Sequence, residues 1–168
     1  MSPTIRILDI VEDTMVDGPG LRTSVYCAGC SHRCAECHNR QSWDFNAGTE
    51  MSVDDIMERI NENRFDDVTF SGGDPMYQPK GFTELAKRIH RTTTKNIWCY
   101  TGFRFEQLLK QPAQRELLEQ IDVLVDGPYI AGIRDIQLCF RGSKNQRIID
   151  VHKSLEEGNV VLWTNQAV

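Results

Sequence analysis

No stretch of this chain stays apolar for long enough to cross a bilayer. Its start shows neither the basic-then-apolar run nor the small-residue cleavage site of an export signal. No block of Lys and Arg stands out: 19 basic residues against 24 acidic ones give a formal net charge of −5, which argues against nucleic acid as a partner. Fixed-period repeats and low-complexity tracts are absent. At 168 residues there is room for one core, so a single domain is expected. These absences lead to the expectation of a cytoplasmic protein that engages neither membrane nor nucleic acid. In that compartment six cysteines read as reduced thiols or metal ligands, not as disulfides.

What is present is concentrated. Three cysteines fall within eight residues, as Cys30-x-x-x-Cys34-x-x-Cys37. Three thiolates this close in sequence can wrap one corner of an iron–sulfur cube and leave its fourth iron without a protein ligand. Such an iron is a reactive position, as the open slot of a catalytic zinc site is. A structural zinc site is the competing reading, since Cys27 with Cys30, Cys34 and Cys37 could supply four thiolates, with His32 and His38 nearby. Ser71-Gly72-Gly73-Asp74-Pro75 favours the cluster, because a zinc knuckle has no use for it. Paired glycines let backbone approach a ligand closely, and the turn's carbonyls with Asp74 can accept hydrogen bonds from an ammonium group. The same residues are also ordinary turn chemistry.

Short β-rich runs alternate with amphipathic patterns. Strands are expected at residues 6–11, 23–26, 67–71, 97–100, 122–125 and 160–163. Ser52 with Asp55 three residues on opens a helix in which Ile56, Met57, Ile60 and Phe65 recur at helical spacing. Residues 82–92 form a second helix with Phe82, Leu85, Ala86 and Ile89 inward, and residues 105–109 and 116–120 read as helical. The alternation implies parallel βαβ units, whose ligands gather at the C-terminal strand ends. Four turns that follow strands should therefore converge on one mouth: the cysteine loop, residues 71–75, residues 100–102 and residues 126–129. A closed eight-stranded barrel needs about 250 residues, so an incomplete barrel is expected.

The cysteine spacing and the Gly-Gly-Asp-Pro turn resemble those of the radical S-adenosylmethionine (SAM) enzymes. Within that superfamily, five further segments resemble the glycyl-radical activating enzymes, in particular the activators of anaerobic ribonucleoside-triphosphate reductase. They are Asp17-Gly18-Pro19-Gly20-Leu21-Arg22, Cys37-His38-Asn39, Trp98-Cys99-Tyr100-Thr101-Gly102, Val123-Leu124-Val125-Asp126-Gly127-Pro128-Tyr129, and residues 141–150. The resemblance spans roughly residues 5–152. It implies an α/β fold, an incomplete β/α barrel of the radical SAM type, with a single-cluster domain at 1–153 and an extension at 154–168. It implies that Cys30, Cys34 and Cys37 hold one [4Fe-4S] cluster whose open iron binds SAM. Gly72, Gly73 and Asp74 would receive the methionine amine, while Glu36, Cys37 and His38 lie along the cofactor. Glu36 stands where an aromatic residue is usual, and Asp74 where Glu is commoner.

The implied reaction is an oxidoreductase's. A flavodoxin-type donor supplies an electron, SAM is cleaved at the cluster, and the 5′-deoxyadenosyl radical takes hydrogen from a glycine of the reductase. Alternatives are a pyruvate formate-lyase type partner, a small deazapurine precursor as substrate, or a non-enzymatic zinc- or cluster-binding adaptor. Cys99 is expected in the core, and His32, His90 and His152 in solvent. Asn145 and Gln146, between Arg141 and Arg147, suit a partner-binding or substrate-side loop.

Overall fold

The structure is a computed structural model, and it describes residues 3–32, 43–135 and 137–164. Among the described residues seven strands form one open sheet in the order β3-β1-β2-β4-β5-β6-β7. They are β1 (Thr4–Thr14), β2 (Arg22–Cys27), β3 (Thr49–Ser52), β4 (Asp67–Gly72), β5 (Ile97–Tyr100), β6 (Val123–Asp126) and β7 (Arg147–Asp150). The four central strands β2, β4, β5 and β6 are parallel neighbours. Antiparallel strands flank them, β1 and then β3 on one side and β7 on the other. This is the expected α/β architecture, a sheet that stops short of closing.

Among the described residues five α-helices connect or follow the strands: α1 (Val53–Glu62), α2 (Pro79–Thr92), α3 (Phe105–Leu108), α4 (Pro112–Leu118) and α5 (Val151–Glu157). Ser52 caps α1, its hydroxyl accepting from the Asp55 amide at 3.1 Å, as the sequence indicates. Ile56, Met57 and Ile60 turn inward, but Phe65 lies beyond the last turn and is 86% exposed. Its match to the helical period was accidental.

The helices share one face of the sheet. Alternate strand residues reach them, among them Val25, Cys27, Val68, Phe70, Ile97, Cys99 and Leu124, and merge with Ile56, Phe82, Leu85, Ile89 and Leu118 into one core. Strand β1 keeps this parity through a bulge between Ile7 and Asp9. The extra residue lets Ile10 join Ile5 and Ile7 on the helix side. The intervening residues of the parallel strands, including Arg22, Ser24, Tyr26, Thr69, Trp98, Tyr100 and Val125, line the opposite face.

The expected strand at 160–163 is reduced to a single bridge between Ile149 and Leu162. There the chain runs along β7, with the Asp150 amide donating to Val161 O and the Trp163 amide to Ile148 O. Trp163 packs edge-on against Trp98, ring centroids 5.0 Å apart. Strands β3 and β7 escaped the sequence reading; both are four-residue edge strands without clean alternation. Among the described residues no helix is long and apolar enough to cross a membrane.

Candidate functional site

The four turns do converge. At the C-terminal ends of the parallel strands, Cys30, His32, the Ser71-Gly72-Gly73-Asp74 turn, Tyr100-Thr101-Gly102, Gly127, Tyr129 and Gln146 line a cavity of about 120 Å³. Tyr100 also lines a second cavity of about 400 Å³ with Val16, Asp17 and Phe140.

The cysteine loop and the Gly-Gly-Asp turn are joined through backbone. Beyond the last ladder pair, Cys27 opposite Gly72, the Gly73 amide donates to Cys27 O and the Asp74 amide to Gly29 O, each at 2.8 Å. The glycines are required by this contact. Gly72 sits at φ +105°, and a Cβ there would lie 2.4 Å from the Cys27 nitrogen. A Cβ on Gly73 would lie 2.4 Å from Gly29 O. The sequence suggests bare backbone for a ligand's sake; the structure shows that the first partner is the chain's own cysteine loop.

Asp74 is buried and organises what surrounds it. Its Oδ1 accepts from the Met76 amide at 3.0 Å. Its Oδ2 accepts from Thr101 Oγ1 at 2.9 Å, the Gly102 amide at 2.9 Å and His32 Nε2 at 2.8 Å. One carboxylate thus ties together the ends of β4 and β5 and the cysteine loop. Oδ1 keeps more spare acceptor capacity than Oδ2. His32, expected in solvent, is an inward residue between Phe103 and Tyr77. The signal that could have found it is its place midway between Cys30 and Cys34.

The Asp17-Gly18-Pro19-Gly20 turn and Arg22 are a packing unit. Arg22 is fully buried and donates to Thr69 Oγ1, Val68 O, Pro19 O and Asn96 Oδ1, with its guanidinium 5.6 Å from the Trp98 ring. Burial without a contacting carboxylate lowers its pKa to about 10. A Cβ on Gly18 would come within 2.8 Å of the Arg22 side chain. Asp17 Oδ2 accepts from Ser24 Oγ and from the Tyr26 hydroxyl, and burial followed by that bond pushes the Tyr26 phenol up to about 12.

The segment 141–147 reaches the cavity through Gln146. Gln146 Oε1 accepts from the Gly142 amide, its Nε2 donates to Gly127 O, and Asn145 Nδ2 donates to Pro128 O. Arg147 forks to Asp126 (2.5 and 3.1 Å) and Glu106 (2.9 and 3.0 Å). The Asn145 and Gln146 amides are engaged within the chain, and Gln146 itself lines the cavity.

Of the expected cluster ligands, Cys30 lines the cavity, while Cys34 and Cys37 lie outside the described residues, as do Glu36 and His38. Among the described residues, no three His, Cys, Asp or Glu side chains are placed to hold a metal ion. The placement of Cys27 counts against a zinc site built from four thiolates. Cys27, which the zinc reading needs, is buried among the helix-facing core residues, and burial pushes its thiol well above the usual range. Cys99 is a core residue as expected, and Cys139 is exposed.

The 4Fe-4S single cluster domain family matches residues 16–149. The anaerobic ribonucleoside-triphosphate reductase-activating protein of Escherichia coli strain K12 is 34% identical over 141 residues, 79% of this chain and 90% of that one. The protein of the same name from Haemophilus influenzae is 39% identical over 144 residues, 80% and 90% of the two chains. That of Enterobacteria phage T4 is 34% identical over 140 residues, 79% and 86%. The solved structure of QueE from Escherichia coli covers 59% of this chain and 52% of its own at TM-score 0.49 and 15% identity, a likeness too slight to bear on fold or function. Matched along most of its length by both comparisons, the chain belongs to the 4Fe-4S single cluster domain family and, within it, to the anaerobic ribonucleoside-triphosphate reductase-activating proteins.

Proposed function

We propose that this chain is a radical SAM oxidoreductase that installs a glycyl radical on an anaerobic ribonucleoside-triphosphate reductase. The observation that carries the reading is the convergence of the Cys30 loop and the Gly72-Gly73-Asp74 turn, tied through backbone, on one cavity at the strand ends. Cys30, Cys34 and Cys37 would hold the [4Fe-4S] cluster. When bound, it supplies one electron to the sulfonium of SAM, yielding a 5′-deoxyadenosyl radical able to take hydrogen from a glycine Cα. The chain's own part is to bind and orient. Carbonyls of the Gly72-Gly73 turn and Asp74 would receive the methionine ammonium, and Glu36, Cys37 and His38 would contact the rest of SAM. Tyr100 and Gln146 line the cavity. The open sheet leaves a face for the reductase to cover, completing the enclosure. A flavodoxin-type protein donates the electron, in the cytoplasm, where thiols stay reduced.

The reading is tested with anaerobically reconstituted protein. It should be brown, carry one [4Fe-4S] cluster per chain and release 5′-deoxyadenosine when reduced with SAM. With the reductase it should give a glycine-centred doublet in electron paramagnetic resonance. A colourless protein with stoichiometric zinc would sink it.

A further inference from the structure

We infer that His32 is a positioning residue that pins the cysteine loop to the Asp74 turn and so sets how the cluster faces the methionine end of SAM. The inference deepens the function proposed above and rests on it. Three features hold the ring. Its Nε2–H donates to Asp74 Oδ2 at 2.8 Å, with the histidine side chain 17% exposed and the aspartate 1%. Phe103 packs on it edge-on at 4.6 Å between centroids, and Tyr77 lies at 5.6 Å. The third is shape: a Cβ on Gly102 would lie 2.5 Å from the ring, so the Tyr100-Thr101-Gly102 turn leaves space that the imidazole fills.

The neighbouring position is tied to the same wall, since Ser31 Oγ bonds the Tyr77 hydroxyl. Two consecutive residues after Cys30 are therefore fastened to the elements beside the proposed SAM turn. Asp74 is the common point, because the oxygen that receives His32 also receives Thr101 and Gly102. A hydrogen bond to a buried carboxylate is stronger than a neutral one, and a network with all its members in place holds one geometry. His32 lies two residues in sequence from both Cys30 and Cys34, so its substitution loosens the tether next to Cys30 without removing a thiolate. Outer contacts of this kind typically change affinity or activity at a metal centre by about 10- to 100-fold.

The test compares reconstituted wild type with His32→Phe, which keeps a ring between Phe103 and Tyr77 but loses the donor, and His32→Gln, which keeps a donor. Iron per chain, SAM affinity by anaerobic calorimetry, and the change in the reduced cluster's paramagnetic spectrum on adding SAM are measured. The expected result is near wild-type iron in all three proteins. His32→Phe should bind SAM about tenfold more weakly and lose the SAM-induced spectral change, and His32→Gln should recover most of both. Wild-type SAM affinity and spectrum in His32→Phe would overturn the inference. So would loss of iron with normal circular dichroism in that variant, since His32 would then serve assembly and not geometry. A wild-type cluster that loads but ignores SAM would overturn the proposed function itself, and this inference with it.

Discussion

The amide of Asp74 donates to the carbonyl of Gly29 at 2.8 Å, so the turn proposed to hold SAM and the loop proposed to hold the cluster are one hydrogen-bonded unit. A change that forces the two backbones apart must disturb both, whereas one that only loosens a side-chain tether need not. Gly73→Val puts a branched side chain against Gly29 O, which an added Cβ would already approach to 2.4 Å. Iron content and SAM affinity are expected to fall together, with a lower melting temperature. Full iron with only SAM binding lost would show that the two elements are independent.

The cysteines should divide into two groups. Alanine at Cys30, Cys34 or Cys37 should abolish the cubane, because two thiolates cannot hold it firmly. Cys27→Ala should keep its iron and cost about 1 kcal/mol, the scale of one buried methylene-sized group. Iron analysis beside urea denaturation separates these outcomes. Iron loss in Cys27→Ala equal to that in Cys34→Ala would contradict the assignment.

The expectations that held depended on strong local signals. Two glycines, a short acid and a proline can only be a turn, and thiolates at tight spacing point to a metal. Parallel connectivity then places every such turn at the same end of the sheet. What stayed hidden came from tertiary context. His32 looks like any loop histidine until the β5 turn supplies Gly102 and Thr101 beside the same carboxylate. Strands β3 and β7 exist because β1 and β6 offer free edges, not because Thr49–Ser52 or Arg147–Asp150 alternate well. Asn145 and Gln146 look like contact residues in sequence, yet their amides satisfy backbone groups within the chain.

Arg147 should anchor the loop that brings Gln146 to the cavity. Its bonds to Asp126 and Glu106 hold its own pKa up, and its bond pulls the Glu106 carboxyl down. Arg147→Met leaves Asp126, 1% exposed, without its counter-ion. The expected cost is about 2 kcal/mol, below the roughly 3–5 kcal/mol of a fully buried pair because the arginine side chain is 27% exposed. Arg147→Met combined with Asp126→Leu should recover part of the loss in urea denaturation. Strict additivity of the two substitutions would contradict the coupling.

Tyr26 gives a pH-dependent signature. Its phenol is raised from 10.0 to about 12, so the unfolded chain loses this proton before the folded one does. The contribution to stability is complete below pH 10 and is lost as pH rises towards 12. Tyr26→Phe should flatten that part of the stability–pH curve and remove one late-titrating phenolate from the ultraviolet absorbance. An unchanged curve would place the alkaline transition elsewhere.

The central claim is hydrogen abstraction from a protein glycine, and isotope transfer tests it most directly. The reductase is prepared with deuterium at its glycine Cα positions and mixed anaerobically with the reduced, cluster-loaded chain and SAM. Deuterium is expected in the 5′-deoxyadenosine, with one molecule formed per glycyl radical at the limit. Unlabelled 5′-deoxyadenosine, or label appearing only when a free nucleotide or purine precursor carries it, would contradict the account.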